Sequence, residues 1–140
     1  FEIRKQEYEM ALDTDEPYNE FKSRIETQKY ELVKLIKDIR ARGETIHLYG
    51  ASTKVNTLLQ FCGLTNKDIE YAAERSSDKW GARTLGSDIP IISEEESRKM
   101  KPNYYLVGPW HFKKEIVKRE AERIHYGTKF IFPLPKLEVI

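Results

Sequence analysis

Residues 45–63 read TIHLYGASTKVNTLLQFCG. The short apolar run Thr45–Tyr49 has strand character, and Gly50 interrupts it. From Thr53 to Cys62 the apolar positions Val55, Leu58, Leu59 and Cys62 fall on one face of a 3.6-residue period, which Gly63 closes. The stretch is a strand running through a glycine turn into a helix. When such units repeat, each helix serves as a crossover between parallel strands.

The pattern does repeat downstream. Ile69–Ala73 is a second strand and Ile89–Ile92 a third, where Pro90 lacks the N–H for a ladder and therefore predicts a sheet edge. Ser93 with Glu96 spells a capping box for a short helix through Met100. Tyr104–Val107 is a fourth strand. Phe112, Ile116, Val117, Ala121 and Ile124 mark one helix stopped by Gly127, and Lys129–Phe132 is a fifth strand before the proline-punctuated tail PLPKLEVI. Upstream, Phe21, Ile25, Leu32, Leu35, Ile36 and Ile39 share one face of a long helix, with Pro17 in its first turn and Gly43 at its stop. A weaker helix around Ile3, Tyr8, Ala11 and Leu12 precedes the DTDEP stretch. The expected fold is α/β: a doubly wound, mostly parallel, five-stranded sheet in the order 3-2-1-4-5 over residues 44–140, with residues 1–43 a helical preface packed on it.

The 140 residues suffice for one core. Twenty-four Lys and Arg against 23 Asp and Glu leave a net charge of +1 with the signs interspersed, so nucleic acid is not an expected partner. Cys62, the single cysteine, excludes an internal disulfide and a multi-cysteine metal site. It reads as a buried apolar position, in keeping with a reducing compartment. No apolar run approaches the roughly 18 residues of a membrane span, and the expected setting is cytoplasmic, without membrane contact. The chain starts at Phe1 rather than Met, which suggests a piece of a longer polypeptide.

In such a sheet a ligand is expected outside the carboxyl ends of the strands, between the first and fourth. YGASTKVN and VGPWHF flank that crevice. Gly50 permits a tight turn, Ser52 or Thr53 can cap the helix, and Lys54 and Asn56 add donors, a group suited to a phosphate or carboxylate. A plain strand-to-helix turn with a Ser or Thr cap has the same residue types, and the stretch is neither G-x-G-x-x-G nor G-x-x-x-x-G-K-[ST]. Glu74 stands where dinucleotide folds keep an acid for ribose hydroxyls, with Arg75 next to it; both also read as solvated charges. Trp110 is either core or a stacking platform. His111 can donate to an anion or move a proton, but no second catalytic residue is identifiable beside it, so no catalytic residue is assigned. His47 and His125 read as structural, and no metal-ligand spacing occurs.

The segments YGASTKVNTLLQFCGL, YAAERSSDKWGARTLGSDIPIIS, MKPNYYLVGPWHFKKEI and GTKFIFPLP resemble the C-terminal domain of the S-adenosylmethionine-dependent sugar C-methyltransferase family. The resemblance covers almost the whole chain. It implies a Rossmann-like domain that closes the substrate cleft of an enzyme acting on nucleotide-linked sugars or related molecules. The zinc-binding and S-adenosylmethionine-binding parts would then lie upstream, leaving no cofactor and no methyl-transfer centre on this fragment. The implied partners are that upstream domain and a small molecule of the nucleotide-sugar class.

The family's G-A-[SA]-x-K-G-N-T loop maps onto Gly50, Ala51, Ser52, Thr53, Lys54, Val55, Asn56 and Thr57. Val55 replaces a glycine, which predicts a looser anion contact than a deep phosphate cradle. The D/E-R-[NS]-x-x-K segment maps onto Glu74, Arg75, Ser76 and Lys79. In P-G-[ST]-x-I-P-[IV], Leu85 replaces the proline while Gly86, Ser87, Ile89, Pro90 and Ile91 agree. W-[HN]-F maps onto Trp110, His111 and Phe112. Two other readings stand beside this one: a free-standing nucleotide or dinucleotide module using the same crevice, and a structural module that docks another domain through Trp110 and the long helix.

Overall fold

The strand Ile46–Tyr49 (β1) is buried along its whole length, as a central parallel strand covered on both faces must be. In the computed structural model, which describes residues 1–140, β1 pairs in parallel with Tyr71–Glu74 (β2) on one side and with Tyr104–Val107 (β4) on the other. Ile91–Ser93 (β3) extends the sheet beyond β2, and Lys129–Phe132 (β5) extends it beyond β4, both in parallel. The connections are helical: Thr53–Cys62 (α3), Glu94–Met100 (α4), and the pair Lys113–Arg119 (α5) and Ala121–His125 (α6). The result is the Rossmann-like, doubly wound α/β fold.

The sheet has six strands rather than five, in the order 3-2-1-4-5-6. After Pro133 and Pro135 the chain doubles back, and Glu138–Val139 (β6) pairs antiparallel with β5. Two residues carry no readable period, which is why the tail looks irregular in sequence. The addition covers one edge of β5. At the other edge Pro90 sits just before β3, its carbonyl accepting from Ala72 N at 2.8 Å. The outer side of Ile91 is paired with Gly81 and Ala82 of the preceding loop.

Helices Glu2–Glu9 (α1) and Glu16–Ala41 (α2) form the preface. Only the second half of α2 is buried, through Leu32, Ile36 and Ile39. Phe21, expected on the inner face, is exposed, as are Tyr18 and Tyr30. The expected single helix from Phe112 to Gly127 is broken: Trp110–Phe112 is a 3-10 turn, and α5 and α6 part at Glu120.

Alternation along each strand sends successive side chains to opposite faces. Ile46 and Leu48 join Ile36, Ile39, Val55 and Leu59 in a cluster of 17 buried residues under α2 and α3. Tyr49, Tyr105, Val107, Phe130 and Phe132 join Ile116 in a second cluster under α5. Burying each large aliphatic or aromatic side chain contributes about 1.5–3 kcal/mol. No helix is long and apolar enough to cross a membrane.

Candidate functional site

At the carboxyl edge of β1 the chain turns at Gly50, whose φ of +84° is closed to most side chains. The facing loop begins at Gly108. A Cβ added to Gly108 would lie 2.5 Å from the Gly50 carbonyl oxygen, and one added to Gly50 would lie 3.1 Å from Pro109 Cδ. Gly108 N donates to Tyr49 O at 2.9 Å, and Gly50 N to Ala73 O at 2.8 Å. The two loops therefore meet backbone to backbone, and two cavities flank the contact: a polar cleft of about 430 Å³ on the α4 and α5 side, and an apolar groove of about 380 Å³ on the α2 and α3 side.

Glu74 forms one wall of the cleft. Its carboxylate accepts from Ala51 N at 3.0 Å, Arg75 N at 2.8 Å and Ser76 N at 3.1 Å, with Lys79 Nζ at 3.4 Å. Four donors fill the roughly four lone-pair sites of a carboxylate. Burial opposes its ionisation, but the N–H groups of Ser76 and Ala51, the Lys79 ammonium and the Arg75 N–H together outweigh it and hold its pKa below the usual carboxylate range. Lys79 Nζ also donates to Ala51 O at 3.0 Å. Glu74 thus ties the turn after β1 to the turn after β2.

The opposite wall is Glu94, the first residue of α4, held by both oxygens to Arg119 Nη2 at 2.6 and 2.7 Å. The Arg119 guanidinium lies 5.6 Å from the centre of the Tyr49 ring. Arg98 and Arg75 approach Glu94 at 3.5 and 4.0 Å. Beneath, Glu120 is 2% exposed and accepts from Tyr49 Oη at 2.8 Å and Arg98 at 3.0 Å, with Arg119 and Arg123 at 3.3 and 3.1 Å. Burial and the Glu120 carboxylate keep the Tyr49 phenol protonated. Glu94, Glu115 and Arg119 went unnoticed in the sequence, where they read as ordinary helix charges. Ser93 and Glu96 at the start of α4 form the expected capping box and signal nothing further.

Gly50, Ser52, Glu74 and Arg75 come together around the cleft, whereas Lys54 and Trp110 line the groove. Ser52 caps α3, its Oγ accepting from Val55 N at 3.4 Å. Thr53 is exposed and lines neither cavity; Asn56 is half-buried, with a buried Oδ1 that has no hydrogen-bond partner. His111 is exposed, its ring tilted against Phe112 with centroids 4.3 Å apart. Val55 has ordinary helical backbone inside α3, so its branched side chain meets no backbone conflict. It is fully buried, 3.3 Å from where a Gly108 Cβ would stand.

His47 is sealed inside. Its Nδ1 pairs with Ser97 Oγ at 2.8 Å, and Ser97 Oγ pairs with Tyr105 Oη at 2.8 Å. Burial lowers the His47 pKa to about 4, with Glu70 opposing weakly. Ser97 is fully buried, so this Ser–His pair offers no route to a substrate. No three His, Cys, Asp or Glu side chains are grouped to hold a metal ion.

Residues 1–135 match the family described as the C-methyltransferase C-terminal domain. The chain belongs to that family. It is similar to the C-methyltransferase NovU of Streptomyces niveus, with 34% identity over 139 residues, covering 99% of this chain and 33% of NovU. It therefore spans about a third of the length of that relative. In this C-methyltransferase C-terminal domain the GAST loop, the ERSS turn and the WHF turn all stand at the carboxyl edge of the sheet.

Proposed function

We propose that this chain is the substrate-binding, cleft-closing C-terminal domain of an S-adenosylmethionine-dependent methyltransferase that acts in the cytoplasm on a nucleotide-linked sugar or related small molecule. The observation that carries this reading is the polar cleft, where the Glu115 carboxylate and the exposed Arg75 guanidinium stand beside the Glu94–Arg119 pair as acceptor and donor. Alternating acceptors and donors suit a ligand rich in hydroxyl groups. Holding such a ligand against a methyl donor presented from elsewhere lowers the barrier by several kcal/mol through orientation alone.

The domain's own carboxyl edge does not fit S-adenosylmethionine. Glu74, at the position where a ribose-reading acid would stand, has its acceptor sites filled by Ala51, Arg75, Ser76 and Lys79, and the Gly50–Gly108 contact leaves no space for a cofactor to pass between the loops. The cofactor is assigned to an upstream domain of the same polypeptide, and that domain is the expected partner. Exposed Tyr18, Phe21 and Tyr30 on α2 support a contact with it.

The test uses the longer polypeptide that carries this domain. Arg75→Ala and Glu94→Gln should raise KM for the sugar substrate with KM for S-adenosylmethionine unchanged, and the 140-residue chain alone should give no turnover. Turnover by the isolated chain, or an unmoved substrate KM in both variants, overturns the proposal.

A further inference from the structure

The ionic cluster around Glu120 has more cations than carboxylates. Tyr49, Arg98, Arg119 and Arg123 surround Glu120 and occupy its roughly four lone-pair sites. Glu94, the second carboxylate, is shared between Arg119 at 2.6 Å and Arg98 at 3.5 Å, with Arg75 at 4.0 Å. Arg98, Arg119 and Arg123 alone therefore outnumber the two carboxylates that serve them. Arg123 approaches Glu120 through Nε at 3.1 Å, and neither of its Nη groups meets an acceptor in the chain. Arg98 uses Nη2 alone, at 3.0 Å. A guanidinium has five N–H donors and stays charged, so free donors and a positive surplus remain.

Arg98 and Arg123 line a third cavity, of about 660 Å³, at the amino edge of the sheet. Arg98 comes from α4 and Arg123 from α6, while Asn103 and Thr128 stand just before β4 and β5. Lys101 belongs to the same lining and stands outside every lysine ion pair of the chain. It ends α4 with a φ of +51°, a left-handed conformation that glycine adopts at lower cost. Strain of this kind, kept at the rim of a cavity, points to a use for the ammonium group there. Asn103 Oδ1 is taken by Thr45 N at 2.8 Å and Thr45 Oγ1 at 3.0 Å, which leaves the amide protons of Asn103 without a partner in the chain. Glu122, which is exposed, is the one carboxylate of the lining.

We propose that this amino-edge cavity is an anion site that takes a doubly charged phosphoryl group. The free N–H groups of Arg98 and Arg123 supply forked donors that match phosphate oxygens, Lys101 adds a point charge, and Asn103 adds a neutral donor. The cavity admits free phosphate and equally the phosphate end of a small metabolite. It shares no lining residue with the polar cleft or the apolar groove, and it does not depend on the substrate reading above.

The experiment titrates the 140-residue chain with inorganic phosphate and with ribose 5-phosphate at constant ionic strength, followed by amide resonances in nuclear magnetic resonance spectra. Saturable shifts should centre on Lys101, Asn103, Gly127 and Thr128, with a Kd of about 1 mM or below. Lys101→Gly and Arg123→Gln should each weaken binding about three- to tenfold, and Glu122→Gln should strengthen it about twofold. Arg123→Gln takes a partner from buried Glu120, so a thermal melt establishes that it is folded. Lys101→Gly relieves the left-handed strain and should melt no lower than the parent, which separates its loss of affinity from unfolding. Tighter binding of ribose 5-phosphate assigns the site to a phosphate monoester, and equal affinity assigns it to the free anion. Shifts centred on Gly50–Lys54, no saturation by about 20 mM of either probe, or an unchanged Kd in Lys101→Gly overturns the proposal. Failure here is separable from failure of the proposed function, which is read from the Arg75 and Glu94 variants in the longer polypeptide.

Discussion

The Gly50 carbonyl oxygen stands 2.5 Å from the point where a Gly108 side chain would begin, so the turns after β1 and β4 touch through bare backbone. Neither atom belongs to a flexible side chain that could swing aside, and Val55 closes the space at 3.3 Å. Gly108→Ala should therefore shift the backbone and destabilise the fold by about 1–3 kcal/mol, the usual cost of overpacking. Gly50→Ala should cost about 1–2 kcal/mol, because a left-handed conformation is imposed on a side chain. Urea unfolding followed by circular dichroism measures both, and a neutral Gly108→Ala would mean that the loops part freely.

Glu74 connects the same turn to β2, and its bonds are charge-assisted. Its pKa is lower in the folded chain than in the unfolded one, because the Ser76 and Ala51 N–H groups, Lys79 and the Arg75 N–H overcome the burial that would raise it. The stabilisation is present above the ordinary carboxylate pKa of about 4.3 and is lost as pH falls through the lower folded value. Glu74→Gln should cost about 1–3 kcal/mol at neutral pH, since it leaves backbone donors and Lys79 short of an acceptor. The difference from the parent should shrink below about pH 4. Unfolding curves collected across that range test the sign as well as the size.

Much of this framework is legible in the chain itself. Val55, Leu58, Leu59 and Cys62 carry a period strong enough to place α3 at Thr53–Cys62, and Tyr104–Val107 emerges as β4 because Gly108 ends it. The second strand begins at Tyr71 rather than at Ile69. Ile69 is fully buried but precedes the ladder, and burial without strand pairing has the same sequence signature. Glu94 and Arg119 illustrate the harder limit. They lie 25 residues apart and meet because α4 and α5 pack on the same face of the sheet. Nothing in local propensity encodes that meeting.

Glu120 explains the break between α5 and α6 in similar terms. Its carboxylate is drawn inward to Tyr49, Arg98, Arg119 and Arg123, at a position that looks like one more solvated helix charge. Removing one partner from a buried ionic cluster leaves the remaining charges uncompensated, so Glu120→Ala should destabilise by about 3–5 kcal/mol. Pairing Glu120→Leu with Arg98→Met removes opposite charges together and should cost less than the sum of the single changes. A double-mutant cycle in urea measures the coupling; strict additivity would mean that the cluster does not act as a unit.

His47 provides a titration at the other end of β1. Burial holds its folded pKa at about 4, against an unfolded value of 6.5. The unfolded chain therefore binds more protons between those limits, and stability should fall as pH drops from 6.5 to about 4, then level off for this group. The full effect is on the order of 3 kcal/mol, and only the Glu70 carboxylate, 3.8 Å from Nε2, offsets the burial. In His47→Gln the amide can keep a hydrogen bond to Ser97 Oγ without taking a proton. That variant should lose most of the slope between pH 6.5 and 5, a range above the window in which Glu74 titrates. Equal slopes in parent and variant would place the acid sensitivity elsewhere in the molecule.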